Sequence, residues 1–215
     1  GNTVLKCLSA IKITGIKKDQ VLSLRNLNRE EMDEIVEVAK KALLQTVDLL
    51  KTEFKIYSWD FLPYEAIAIV LTYIFSKRKT LGLDDVRRVK QWFWQSSFSE
   101  RYRGASESFV SQDLEAIDSY IINGEEPKKP FGQIPTVETF NRLAFRRNNS
   151  RSRGLIILLA LKNPKNLTNG AIIDTEIALS HYNKKQFHHV YPKAYLKRIS
   201  ALGEHNSLAN FCMLA

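Results

Sequence analysis

The stretch "QFHHVYPK", residues 186 to 193, sets His188 and His189 side by side in a strand-like run that meets Pro192. An imidazole takes or gives a proton near neutral pH, and in its neutral form it is also a common metal ligand. Two adjacent histidines are therefore either a metal ligand beside a catalytic base or two imidazoles that are merely neighbours. Further on, "NSLANFCML" carries a second apolar run that begins near Asn210, after a basic loop of intermediate length. A hairpin built from the two runs would hold His189 and Asn210 face to face, with Asn206 the weaker candidate or a turn or capping group. Successive strand residues point to opposite faces, so a task shared by His188 and His189 needs a bend or twist, which Pro192 at a strand end would allow. Before residue 140 no comparable constellation occurs: the carboxylates fall on helix surfaces and no glycine-rich phosphate loop is present. Cys7 and Cys212 lie almost the whole chain apart without a CxxC pair, which supports neither a disulfide framework nor a cysteine zinc site; both are expected as reduced thiols.

Charge singles out the same end of the chain. The net charge is +9, and residues 142 to 215 hold 12 Lys and Arg against 3 Asp and Glu, whereas residues 1 to 141 hold 20 of each. His181, His188, His189 and His205 all lie in this basic third. A neutral body with a basic end suits a polyanion, most often a phosphate backbone, although the same excess also suits a solvated surface. Arg146, Arg147, Arg151 and Arg153 in "RRNNSRSRG" are the first candidates for phosphate contacts, which would give salt-dependent affinity without sequence readout. Lys184 and Lys185 before the histidine pair, with Lys193, Lys197 and Arg198 after it, fit a duplex-facing rim and would also suit any exposed hairpin. In "QWFWQSSFSERYRG", Trp92, Phe93 and Phe98 at helical spacing read as core packing rather than as a platform for stacked bases.

The elements that must position these residues are mostly helical. Apolar residues at Val4, Leu5, Leu8 and Ile11 predict a short helix over 3–13. Asn28 with Glu31 three residues on forms a capping-box pattern, and Met32, Ile35, Val36, Ala39, Leu43, Val47, Leu50 and Phe54 predict one apolar stripe behind it. "YEAIAIVLTYIFSK" is apolar nearly all round and should be central to the core, with Pro63 suited to a first helical turn. Helices are also expected in "LDDVRRVKQWFWQSSF", in "SQDLEAIDSYIING" with a stop at Asn123-Gly124, and in "TVETFNRLAF" and "SRGLIILLALKN"; "AIIDTEIAL" leans to β after an Asn169-Gly170 turn. "GEEPKKPFGQIP", with three prolines, reads as a linker. The longest apolar runs, from Ala66 and from Leu155, are about half of the roughly 20 residues that span a bilayer. No signal peptide is legible, so no membrane partner and a cytoplasmic location are expected. The opening "GN" reads as a tag remnant before an excised fragment.

The run "HHVYP", then "NSLAN" and an apolar stretch, resembles the first two elements of a His-Asn-His (HNH) ββα-metal nuclease. "FLPYEAIAIVLTYIFSK", "QWFWQSSFSERYRGASESFVSQDLEAI" and "RSRGLIILLALKNPKNLTNGAIID" resemble the helical region joined to that nuclease in modification-dependent restriction proteins of the GmrSD type, so the resemblance covers nearly the whole chain. It implies a phage-defence DNA endonuclease hydrolysing phosphodiesters: His189 as general base on the attacking water, His188 as ligand of a divalent ion (Mg, Mn or Ni), and Asn210 holding the histidine and the hairpin in place. It implies modified DNA as partner, bound nonspecifically through its backbone, and a ParB-like nucleotide-hydrolysing domain ahead of this chain, whose DGQQR signature is not in the sequence.

Two departures qualify that implication. A histidine at the position of His188, usually acidic in these restriction proteins, looks like colicin-type nucleases and favours a softer ion than magnesium. The motif's last ligand belongs on a helix beyond the second strand, and the sequence given stops at Ala215, so little or no cleavage and no bound metal are expected of this chain alone. The expected fold is mainly α: a helical bundle-like body over 1–165, with an internal boundary at 124–135, then a small α+β HNH-like hairpin module over 166–215, incomplete at its C-terminal end. A different class of function, a non-catalytic helical interaction or DNA-binding scaffold docking the nucleotide-hydrolysing domain or a partner subunit, fits the same helices.

Overall fold

Asn28 begins the longest helix as its residue type requires. Its side-chain oxygen accepts from the Glu31 amide at 2.9 Å while the Glu31 carboxylate accepts from the Asn28 amide at 3.1 Å, so two orphan donors are satisfied reciprocally. In the computed structural model, which describes residues 2–104, 106–180, 187–201 and 203–213, this helix (α3) spans Arg29–Phe54. The described residues form a mainly helical fold with one small antiparallel sheet near the C-terminal end, the fold class expected from the sequence. The chain divides into two compact units, Gly1–Leu49 with Tyr64–Gln133 and Leu50–Pro63 with Ile134–Ala215. One division, between residues 133 and 134, falls inside the proline-containing stretch 124–135.

In the first unit α1 (Asn2–Ile13) and α6 (Ser106–Ile117) pack on α4 (Glu65–Lys77), whose residues from Ala66 to Phe75 are all buried, as its all-round apolarity requires. Pro63 stands just before the helix, whose cap is Tyr64. A short helix absent from the sequence reading, α2 (Lys18–Ser23), follows α1. The buried stripe of α3 matches the expected one in part. It runs Ile35, Ala39, Ala42, Thr46, Leu49–Leu50 and Phe54, so Ile35, Ala39, Leu50 and Phe54 are as expected, while Val36 and Val47 are 41% and 38% exposed. Alternating steps of four and three follow the helix angle, and Thr46 tolerates burial because its hydroxyl donates to the Ala42 carbonyl at 2.9 Å.

Helix α5 (Leu83–Phe98) buries Trp92, Phe93 and Phe98. A polar cluster sits beside them. Asp113, fully buried, accepts from the Trp92 indole at 3.2 Å, from the Tyr102 hydroxyl, and from Arg101, whose Nη2 lies 2.6 Å away. Burial, with the Asp113 charge second, holds the Tyr102 hydroxyl well above the ordinary phenol range. α6 begins earlier than the expected helix, at Ser106, and passes into a π-helical turn, Asp118–Ile122, which stops before Asn123-Gly124 as expected, with Gly124 at φ +75°. The following loop is tied to α5, through Arg88 donating to the Gly124 and Glu125 carbonyls at 2.7 and 3.0 Å and through the Phe131 amide donating to Gln95 at 3.2 Å.

The second unit has its own core of Phe61, Ile156, Ala160, Ile173, Leu179 and Met213, with Tyr57, Phe145, Ala178 and Phe187 packed against it. Its helices are α7 (Val137–Arg142), α8 (Ser150–Leu161), α9 (Thr175–Ala178) and α10 (Lys193–Arg198); its strands are β1 (Phe187–His189) and β2 (Phe211–Met213). The β-leaning "AIIDTEIAL" is not a strand. Ile172 makes an isolated bridge with Lys165, and Asp174 then starts α9 by accepting from the amides of Glu176 at 2.9 Å and Ile177 at 3.1 Å. A side-chain cap outweighs β-branched propensity there. The basic loop between the strands likewise contains a helix, α10, begun at Pro192.

Candidate functional site

The hairpin is positioned by its apolar residues. β1 and β2 are antiparallel in the register Phe187↔Met213, His188↔Cys212, His189↔Phe211. Met213 is buried in the core and Phe187 meets Phe61 edge-on at 6.2 Å between ring centres. Slipping the register by one residue would pull both out, so the pairing of the histidines is fixed from below. His188 is exposed, on the opposite face of the strand from Phe187, and its carbonyl accepts from the Cys212 thiol at 3.6 Å. His189 is half-buried, with its ring 4.4 Å from that of Phe211, which stacks on Phe145 at 4.1 Å.

His189 and Asn210 are not directly face to face, because Phe211 occupies the position across from His189. Asn210 works on the neighbouring backbone instead. Its Oδ1 accepts from the Tyr191 amide at 2.8 Å and its Nδ2 donates to the Tyr191 carbonyl at 2.9 Å and to the His205 carbonyl at 3.1 Å. Its own carbonyl accepts from the Val190 amide at 2.8 Å. One amide thus clasps the chain where it leaves β1.

The side chain that meets His189 is Asn206, with Oδ1 3.1 Å from Nε2. The Asn206 Nδ2 donates to the Phe145 carbonyl at 2.8 Å, its backbone carbonyl accepts from the Phe145 amide at 2.7 Å, and its amide donates to Glu204 at 2.7 Å. Ser207 donates to the Asn141 carbonyl at 2.5 Å and the Leu208 amide to the Leu143 carbonyl at 2.7 Å, which docks this loop on residues 141–145. The sequence offers Asn206 as a weaker candidate than Asn210 for the positioning asparagine, or as a turn or capping group. The one signal was its place in the loop entering β2; the pairing with His189 depends on strand register and loop docking.

The basic candidates fall into different settings. Lys193 and Lys197, one turn apart on α10, line an open cavity of about 340 Å³ with Gly203, Glu204, His205 and Asn206. The Arg198 guanidinium lies over the Tyr195 ring at 5.5 Å. Arg146 and Arg147 are exposed ahead of α8, whereas Arg151 and Arg153 are half-buried in its first turn, behind the Asn149 cap. Arg153 donates to the Leu62 carbonyl at 2.8 Å, a tether within the second unit. Lys184, Lys185 and His181 lie outside the described residues. Among the described residues no group of three or more His, Cys, Asp or Glu side chains is gathered for a metal ion. His188, the metal ligand that the nuclease resemblance implies, leaves the strand on the face opposite His189, the implied base.

No helix among the described residues is long and apolar enough to cross a membrane. No family model matches the chain, and no solved structure matches it. The chain is 23% identical over 201 residues to an uncharacterized protein of Methanocaldococcus jannaschii; the match covers 90% of this chain and spans about a third, 33%, of that relative's length.

Proposed function

We propose that the chain contributes the helical region and the two-stranded part of an HNH-type nuclease module to a metal-dependent DNA endonuclease of a modification-dependent restriction system. The observation that carries the reading is the clasp of Asn210 on the Tyr191 backbone at the end of the strand that bears His189. It ties the exit of one strand to the entry of the other, the support a general base needs if its imidazole is to meet a phosphodiester in one orientation. In the proposed reaction His189 removes a proton from water as the water oxygen bonds to phosphorus. The bond from phosphorus to the 3′ oxygen breaks, and that oxygen is protonated by solvent. The divalent ion, Mg, Mn or Ni, would supply charge stabilisation at the phosphate. Because the described donors do not complete its site, the role assigned to these residues is the proton transfer.

On this reading the substrate is modified DNA, held through its phosphates by Arg146 and Arg147 and by Lys193, Lys197 and Arg198 near the hairpin, while Arg153 serves to fasten the unit together. The proposed partner of the helical unit is a ParB-like nucleotide-hydrolysing domain, and the proposed location is the cytoplasm. The test is nicking of supercoiled plasmid by the full-length protein in Mg, Mn and Ni, wild type against His189→Ala, with DNA binding measured in parallel. The expected result is a loss of about 10²- to 10⁴-fold in nicking with binding retained. Unchanged nicking would move the chemistry away from the hairpin.

A further inference from the structure

We propose that Asn206 is a positioning residue that fixes His189 in the tautomer protonated at Nε2 and leaves Nδ1 as the atom that carries the lone pair. The functional consequence rests on the base role proposed for His189; the tautomer itself does not.

The assignment follows from which atoms can donate. The Phe145 carbonyl oxygen, 2.8 Å from one end of the Asn206 amide, is an acceptor only, so that end is the NH₂ group. Turning the amide over would set oxygen against oxygen. The other end is therefore Oδ1, again an acceptor only, and it stands 3.1 Å from His189 Nε2. The imidazole nitrogen facing it must be the protonated one, and in the neutral ring the lone pair then belongs to Nδ1.

The amide cannot easily swing to satisfy a different tautomer. Its residue is paired both ways with the backbone and with Glu204: Phe145 amide to Asn206 carbonyl at 2.7 Å, Asn206 amide to Glu204 at 2.7 Å. The imidazole is also restrained, its ring 4.4 Å from Phe211 and that ring stacked on Phe145. Phe145 thus orients the base twice, through its carbonyl by way of Asn206 and through its ring by way of Phe211. Among the described residues Asn206 is the hydrogen-bond partner of the His189 ring, so Nδ1 is the nitrogen available to a water.

The test is nitrogen NMR of the chain labelled with ¹⁵N-histidine, with the His189 signals assigned by difference against His189→Ala. At a pH where the ring is neutral, the expected result is one tautomer in the wild type, with an N–H signature at Nε2 and a lone-pair signature at Nδ1. In Asn206→Leu the two nitrogens are expected to average between tautomers. A wild-type ring protonated at Nδ1 overturns the proposal, as does an Asn206→Leu protein that keeps the wild-type pattern. The wild-type measurement decides the tautomer even where the variant fails to fold. In the full-length protein, Asn206→Leu should lower nicking by about 10- to 100-fold with DNA binding unchanged. Nicking that needs His189 but ignores Asn206 overturns this inference and leaves the nuclease reading standing; the expected tautomer in a protein that does not nick leaves the assignment standing and removes the nuclease reading.

Discussion

Replacing Asn210 by alanine removes three side-chain hydrogen bonds at once: one from the Tyr191 amide at 2.8 Å, one to its carbonyl at 2.9 Å, and one to the His205 carbonyl at 3.1 Å. A typical intramolecular hydrogen bond contributes about 0.5–1.5 kcal/mol net, and water can replace part of these, because Tyr191 is 56% exposed. Taking the low end for each bond gives a loss of about 1–2 kcal/mol. The loss should be felt locally. β1 and β2 are three residues each, so the end of the hairpin can open without unfolding the core beneath it. The assay is amide hydrogen exchange resolved by residue. Since about 1.4 kcal/mol is a factor of ten, the Tyr191 amide should exchange about 5- to 30-fold faster in Asn210→Ala. The Val190 amide, bonded to the Asn210 backbone carbonyl, should change less, and the buried amides of α4 should not change. A Tyr191 amide that exchanges at the wild-type rate would refute the clasp, and equal acceleration across the whole second unit would show that Asn210 supports the core rather than the hairpin end.

Asp113→Ala should be among the most damaging single changes in the first unit. It leaves the Arg101 guanidinium, 14% exposed, together with the Tyr102 hydroxyl and the Trp92 indole, without their shared acceptor, at a cost of about 3–5 kcal/mol readable from the urea midpoint. The buried tyrosines should make the fold sensitive to alkali. Burial pushes the Tyr73 hydroxyl from 10.0 up to about 12, with its bond to Asp118 adding to the shift, and burial likewise raises Tyr102. Both groups bind their protons more tightly folded than unfolded, so this stabilisation is intact below pH 10 and is lost as the pH rises through the folded values. The measurable result is a near-ultraviolet phenolate signal from these two tyrosines that appears together with unfolding; phenolate absorbance in a protein with native circular dichroism would contradict it.

Much of the helical architecture was legible because the signals are local. Asn28 and Glu31 are three residues apart and form their box without help from the rest of the chain, and the run from Ala66 to Phe75 has no polar face to present to water. The structure departs from the local signals where one preference meets a competing one. Leu43 and Val47 looked like stripe residues by hydrophobicity, but the helix angle favours Ala42 and Thr46, and Thr46 satisfies its hydroxyl within its own helix. Ile172 and Ile173 favour a strand, but Asp174 next to them caps a helical turn. The two histidines and Asn210 were legible as residue types on a hairpin. The partner of His189 was not: Asn206 reaches it only because Phe187 and Met213 set the register and because the loop before β2 docks on residues 141–145. Nor does "RRNNSRSRG" reveal that Arg153 is committed to the Leu62 carbonyl, which is 91 residues away in sequence.

Chemical rescue of His189→Ala shows whether His189 acts as a base. Nicking by full-length His189→Ala would be measured with increasing imidazole in the buffer. The expected result is activity at least about 10²-fold below wild type that recovers in proportion to the unprotonated imidazole added, while the wild type does not respond. An alanine variant that nicks at the wild-type rate, or one that is inactive and stays so at every imidazole concentration while its fold and DNA binding are intact, would contradict it.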